Sequence, residues 1–330
     1  MTRPISFAAR ALGLLACLCL HLVPARAEAS SDPAPTLRAE ACSVEGLMDS
    51  IRRGLGSKSE AYRKYLRTLL RESAVTLPDA ELRAAYERET DPVMVEHLAA
   101  ALVARTERGA DPAAMGVVAK RILEERDPAL RIASLKALRR TSATENTGDL
   151  YERLVRDASP EVRQEAATNL IEDNLHVYSG HHGPAADAAV TAAFASTDPK
   201  VASRILDTVS TEHISAESAD RIKSLLRSDD ASVRAAAANA LGGVPSEQMA
   251  GARETLLAMY RDEPDSKVRK MLLQSIAQLG FTGAIPDLQR LRGVDPALAP
   301  EVDAWIRALG LGLQEWSLIL REKQRLQQAP

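Results

Sequence analysis

A short phrase recurs along this chain: an Asp or Ser, then apolar residues at helical spacing, often with an Arg four places on. It reads SEAYRKYLRTLL from Ser59, DPALRIASLKAL from Asp127, SPEVRQEAATNL from Ser159, DASVRAAAANAL from Asp230 and DSKVRKMLLQSI from Asp265. Weaker copies start at Asp91, Asp198 and Asp295, and the spacing between successive starts averages about 34 residues. Self-similarity at that period confines the chain to a stack of supersecondary units, because one unit alone leaves its apolar face uncovered.

Three places after each start stand Tyr62, Met94, Leu130, Val162, Val201, Val233, Val268 and Leu298. Eleven places after stand Leu70, Leu102, Leu138, Leu170, Val209, Leu241, Ile276 and Ile306. Positions 3, 7 and 11 share one face at 100° per residue, so each phrase predicts an amphipathic helix with that face in the core. The starting Asp or Ser accepts from free amides of the first turn, and Pro92, Pro128, Pro199 and Pro296 suit a first helical position. A second helix precedes each start, as in 114–125, 149–155, 219–227 and 247–260. Paired antiparallel helices at this period stack into an α-solenoid of about eight pairs.

Composition agrees with an all-α chain: aromatics are only 3% of 330 residues, and β-sandwiches depend on aromatic and β-branched residues. The phrase Asp-x-x-Val-Arg-x-x-Ala-x-x-x-Leu resembles the HEAT repeat, in particular the shorter HEAT-like variety associated with phycobilin lyases. The resemblance covers about Ser43 to Gly310 and is fullest from Asp230 to Leu241. It implies a superhelical scaffold that binds proteins, with the phrase helices facing a concave groove, and it implies no common reaction.

Arg63, Arg131, Arg163, Arg234 and Arg269 fall four places after their starts, about 40° from the centre of the apolar face. A basic ladder for phosphate or carboxylate is one reading. The favoured one is structural, with the stems covering the core and the guanidiniums on acids or turn carbonyls of a neighbouring repeat. The outward positions mix Thr68, His97, Lys136, Glu165, Arg204, Asp207 and Asn239 with alanines. Nucleic acid would call for cations interleaved with stacking rings, and the net charge of −3 points the same way. A protein partner fits this row better.

The longest spacing holds residues 173–184, read as a loop insertion with His176, Tyr178, His181 and His182. Polar-tipped rings on a loop suit an interface, so these four with Glu165, Arg204 and Asp207 are the expected partner-binding residues. A metal or small-ligand site on the histidines is an alternative, as is an accessory, lyase-like enzyme holding a protein in the groove. No G-x-S-x-G, HExxH, CxxC or P-loop pattern occurs, so neither catalysis nor a cofactor is expected.

Residues 1–27 have the three parts of a secretory signal: Arg3 and Arg10, an apolar run over 11–23, and Ala25-Arg26-Ala27 before the cut. The expectation is export to the periplasm or beyond, with the mature chain starting at Glu28, no transmembrane anchor and a monomeric state. Lipidation at Cys17 is the alternative. Cleavage would remove Cys17 and Cys19 and leave Cys42 alone, and it would move the charge from −3 to −6. Residues 28–42 are then a flexible linker, 43–310 the solenoid, and 311–330 a C-terminal capping helix. That helix is expected over 311–328, with Leu313, Trp316, Ile319 and Leu320 on one side and Arg321, Lys323 and Arg325 opposite.

Overall fold

A computed structural model describes residues 44–109, 111, 113–139, 141, 148–175 and 182–328. The expected signal segment, the linker and the three cysteines lie outside the described residues. The chain divides into two compact units, residues 1–50 and residues 51–330. Of the first, only the opening turns of α1 are described; the stack below is the second.

The described residues form helices and turns, with no strand among them. First helices of each pair are α1 (Val44–Leu55), α3 (Asp79–Arg88), α5 (Ala114–Glu124), α7 (Gly148–Leu154), α9 (His182–Ala195), α11 (Ala216–Leu225), α13 (Ser246–Asp262) and α15 (Ile285–Val294). Second helices, which carry the recurring phrase, are α2 (Glu60–Thr76), α4 (Pro92–Glu107), α6 (Pro128–Lys136), α8 (Pro160–Leu175), α10 (Pro199–Thr208), α12 (Ala231–Leu241), α14 (Ser266–Gly280) and α16 (Ala299–Gly310). A last helix, α17 (Trp316–Gln328), follows. Each second helix from α2 to α16 packs on the next, and the first helices from α3 to α13 also touch their neighbours in turn. The architecture is an all-α repeat stack.

All eight predicted caps form. The side chains of Ser59, Asp91, Asp127, Ser159, Asp198, Asp230, Asp265 and Asp295 each accept from an amide of the first turn. Such a cap contributes about 1 kcal/mol. A second column, two places before each start, was not foreseen. There Ser57, Glu89, Glu125, Asp157, Ser196, Ser228 and Glu263 accept from the amide of the capping residue itself. Seven of the eight turns between paired helices are therefore held by two successive side-chain acceptors, the exception being that before Asp295, where Gly293 stands.

The core follows the predicted face with three exceptions. Position 7 is buried in all eight copies: Leu66, Leu98, Ser134, Ala166, Ile205, Ala237, Leu272 and Val302. The buried hydroxyl of Ser134 is satisfied, accepting from Tyr86 Oη at 2.7 Å and donating to the Leu130 carbonyl at 3.1 Å. Tyr62, Val209 and Ile306 are only half-buried. Val209 falls just past the end of α10, and in the last copy a 3-10 turn (Pro296–Leu298) shifts the phase, so that Trp305 takes the core position instead of Ile306. Conversely Ala133, Ala236 and Ala304, placed on the outward face by the sequence, are buried, because adjacent second helices approach closely over small residues.

Two expected boundaries are corrected. Residues 173–184 are not a continuous loop: Asp173, Asn174 and Leu175 extend α8, and His182, Gly183 and Pro184 open α9, leaving 176–181 outside the described residues. The helix continues through Asn174 because its Oδ1 accepts from the Ser210 amide of the next pair at 2.8 Å. Gly183 permits a close approach; a Cβ there would lie 2.8 Å from the His213 carbonyl oxygen. The final helix starts at Trp316 rather than Leu311, after a turn in which Gly312 has φ of +68°. Trp316 stacks on Trp305 with centroids 5.4 Å apart, and Phe281 meets it edge-on at 6.2 Å. Lys323 does not face solvent as expected: it lies 4.8 Å over the Trp305 ring and pairs with Glu301. Two full turns separate it from Trp316, which puts both on the same side.

Candidate interaction face

The arginines four places after the starts make inter-repeat contacts. Arg131 donates from Nε to the Ile122 carbonyl at 2.6 Å and pairs with Asp157 of the next repeat. Arg163 donates to the Asp157 carbonyl at 2.8 Å and to Asp198 at 3.1 and 3.2 Å. Arg234 holds the Ser228 and Asp229 carbonyls at 2.9 and 3.0 Å and forks onto both oxygens of Glu263 at 2.9 Å. Arg269 pairs with Asp295 at 3.3 Å, and Arg63 donates to the Ser57 carbonyl at 2.5 Å. Arg63, Arg131, Arg163 and Arg234 thus hold a carbonyl of their own repeat, and Arg131, Arg163, Arg234 and Arg269 an acid of the next one.

These pairs set the acids' protonation. Burial pushes the Glu263 carboxyl up, but the Arg234 hydrogen bonds and the Asp265 amide outweigh it and hold the group below the usual carboxylate range. Asp157 is held low in the same way by Arg131 and the Ser159 amide. So is Glu89, by Arg52, whose Nη2 lies 2.6 Å away, and by the Asp91 and Thr90 amides.

A second seam joins successive second helices on their outward side. Where α6 gives way to α8, the residue twelve places after the start meets position 6 of the next second helix. Arg139 therefore pairs with Glu165, donates to Asn169 Oδ1 at 2.9 Å and lies 3.7 Å from Glu172. Asn169 in turn donates to the Leu135 carbonyl at 2.6 Å and to Tyr151 Oη at 3.2 Å. Burial, with Asp173 nearby, pushes the Tyr151 phenol above its ordinary value.

The expected partner residues are placed unevenly. Glu165 is committed to Arg139. Arg204 donates back to the Gln164 carbonyl at 3.2 Å, to Gln164 Oε1 at 3.1 Å and to Thr168 Oγ1 at 3.0 Å, so α8 and α10 bring it beside Glu165. Asp207, a turn further along α10, is exposed, yet the surrounding protein pushes its carboxyl above the usual range. His182 opens α9; His176, Tyr178 and His181 lie outside the described residues. Among the described residues no group of three His, Cys, Asp or Glu side chains could hold a metal ion.

The first such seam, between α2 and α4, has different occupants. Arg67 and Arg71 of α2 act electrostatically on His97 of α4, which stands at position 6 as Glu165 does in α8. Burial pushes the His97 imidazole below its ordinary value; Glu96 opposes this, and Arg71 and Arg67 add to it. The sequence marks these residues as outward-facing but not as neighbours, because helices 32 residues apart must first be brought into register.

Two clefts lie where first helices separate: one of about 730 Å³ between α11 and α13, lined by Lys223, Arg227, Met259 and Asp262 among others, and one of about 670 Å³ at α3 and α5 around Tyr86, Lys120 and Glu124. Both mix acids with cations and contain none of the expected partner residues. No helix among the described residues is long and apolar enough to cross a membrane.

Residues 186–277 match the family described as HEAT repeats. No curated protein matches significantly. Among solved structures, YibA of Escherichia coli is 14% identical over 93% of this chain and 100% of its own, with a TM-score of 0.37. An engineered protein is 18% identical over 85% and 98%, at 0.28. A chain from the structure in which Kap95p binding induces the switch loops of RanGDP to adopt the GTP-bound conformation is 12% identical over 99% and 50%, at 0.29.

Proposed function

From the HEAT repeats that this chain carries, we propose that it is an exported scaffold that holds a protein partner on the outward side of its second helices and performs no reaction itself. One observation supports this most. Arginines and acids that would suit chemistry are spent on the ladder between repeats, whereas outward positions such as Lys136, Asp207 and Gln274 enter none of its hydrogen bonds or ion pairs. Rigid stacked helices presenting an uncommitted polar row are a surface for recognition. Export rests on the signal pattern of residues 1–27, and intact mass of the native protein should give a chain starting at Glu28; a lipidated Cys17 start would replace that reading.

Photo-crosslinking in the native cell tests the scaffold. A benzophenone side chain at Lys136 or Gln274 should give a discrete adduct with one protein, whereas the same probe at Glu217 or Glu254 on the first helices should not. Adducts confined to the first helices would refute the assignment of the face.

A further inference from the structure

We propose that the cleft between α11 and α13 is a binding site for a short free peptide that carries one basic side chain. The site lies among the first helices, apart from the partner face, and does not rest on the scaffold reading. Residues 11, 10, 7, 6, 3 and 2 places before a start line this cleft and the one between α3 and α5 alike, so the two compare place by place. The α3–α5 cleft is spanned from within. Arg121 of α5 lies 5.0 Å over the Tyr86 ring of α3, donates to the Glu89 carbonyl at 2.5 Å and to the Tyr86 carbonyl, and lies 3.6 Å from Glu125. The same place in α13 holds Met259, whose thioether donates nothing. The α11–α13 cleft, of about 730 Å³, therefore has no guanidinium reaching back from α13 to the end of α11.

The charges of this cleft are sorted by wall: Lys223 and Arg227 stand on α11 and the turn after it, Glu254 and Asp262 on α13. Lys223 is engaged by Asp220 at 2.9 Å, and Arg234 at the base by Glu263. Arg227, Glu254 and Asp262 are exposed and make no hydrogen bond or ion pair among the described residues. Arg227 and Asp262 both stand three places before a start. Across the α7–α9 junction those places adjoin, since Arg156 donates from Nε to the Ala195 carbonyl at 2.6 Å. Arg227 and Asp262 hold the same relation yet form no ion pair, which leaves room for a dipolar group between them. Glu254 precedes Asp262 by eight residues, about 12 Å along the helix, the span of an extended peptide of three or four residues. Two carboxylates and one guanidinium lack partners, so the complementary ligand has two cations and one anion. A free peptide with one Lys or Arg has that set in its amino terminus, side chain and carboxyl terminus. Leu226, Ala258 and Met259 offer it an apolar strip. No aromatic ring lines the cleft for a base to stack on, and the acids repel phosphates.

The test is isothermal titration calorimetry of the purified chain with the tripeptide Lys-Leu-Ala and, as the second probe, its C-terminal amide. The free tripeptide should bind, and the amide about tenfold more weakly, a difference of about 1.4 kcal/mol. Arg227→Gln should weaken the free tripeptide by the same factor and abolish the difference between the two probes. Glu254→Gln with Asp262→Asn should weaken both probes alike. Lys120→Gln, an exposed cation of the α3–α5 cleft, should change neither. All these positions are exposed, so the circular dichroism melt should stay that of the wild type. No binding of Lys-Leu-Ala at millimolar concentration would overturn the proposal. So would an amide that still binds Arg227→Gln tenfold more weakly than the free tripeptide, or unaltered binding by the chain with both acids replaced. Crosslinks at Lys136 or Gln274 decide the partner face alone and leave this result standing or falling by itself.

Discussion

Arg139 and Arg71 occupy the same place in their repeats, twelve residues after the start, yet they meet opposite company. Arg139 finds Glu165 at position 6 of the next second helix, with Asn169 and Glu172 behind it. Arg71 finds His97 at that position. Arg71 lies within α2 whereas Arg139 lies in the turn that follows α6, so the two differ in backbone as well as in company. In the middle of the stack the outward seam is closed by its own charges and stabilises the packing. At the first seam an imidazole stands where α8 has an acid.

The paired contacts carry the largest expected effect. Glu263 is almost wholly buried, and Arg234 is its only fork. Arg234→Ala would strand that carboxylate, and loss of one partner of such a pair costs about 3 kcal/mol or more. Chemical denaturation should show this, and Glu263→Gln in the same chain should recover much of it by removing the stranded charge. If Arg67→Ala at the first seam cost as much, the contrast between the two seams would be false.

Acid pH separates the same two regions by window. Glu89, Asp157 and Glu263 are held below their ordinary values of 4.5 and 3.8. The folded chain therefore binds fewer of these protons than the unfolded chain, and the ladder's contribution is full above those values and lost as pH falls through the folded ones. His97 is held below 6.5, so its neutral form is favoured by folding, and that smaller contribution is lost earlier, as pH falls from 6.5. Stability measured against pH should decline in two stages. His97→Gln should abolish the upper stage and leave the lower one. A single decline below 4.5 in both proteins would mean that the first seam does not titrate as its geometry implies.

Much of this was legible in the sequence, for reasons that particular residues make plain. The caps at Ser59 through Asp295 are local: one side chain reaches amides two or three places on, so spacing alone reveals them. Position 7 is legible because helical phase is set within a single turn. The second acceptor column could have been read too, since an Asp, Glu or Ser stands two places before seven of the eight starts. Partners across repeats could not. Arg131 and Arg234 choose the acid two places before the next start, whereas Arg163 and Arg269 choose the capping residue itself, and only the stacked helices decide between acids so near in sequence. The side of Lys323 was legible as well, since it follows Trp316 by seven residues, two full helical turns, and so shares the face of that ring.

The smallest effect is the sharpest test of the comparison. His97→Glu would put at position 6 of α4 the residue that position 6 of α8 already has. Arg67 and Arg71 would then gain a carboxylate like the one Arg139 has in Glu165, in place of an imidazole whose neutral form folding favours. Partly exposed pairs of this kind contribute little, so the expected gain is about 0.5 kcal/mol, detectable as a slightly raised denaturation midpoint that salt diminishes. A raised midpoint that salt lowers again would show that an acid at this position is what the first seam lacks. A destabilised protein would mean that His97 sits where a carboxylate cannot reach either guanidinium, and that the resemblance between the two seams ends at their sequence positions.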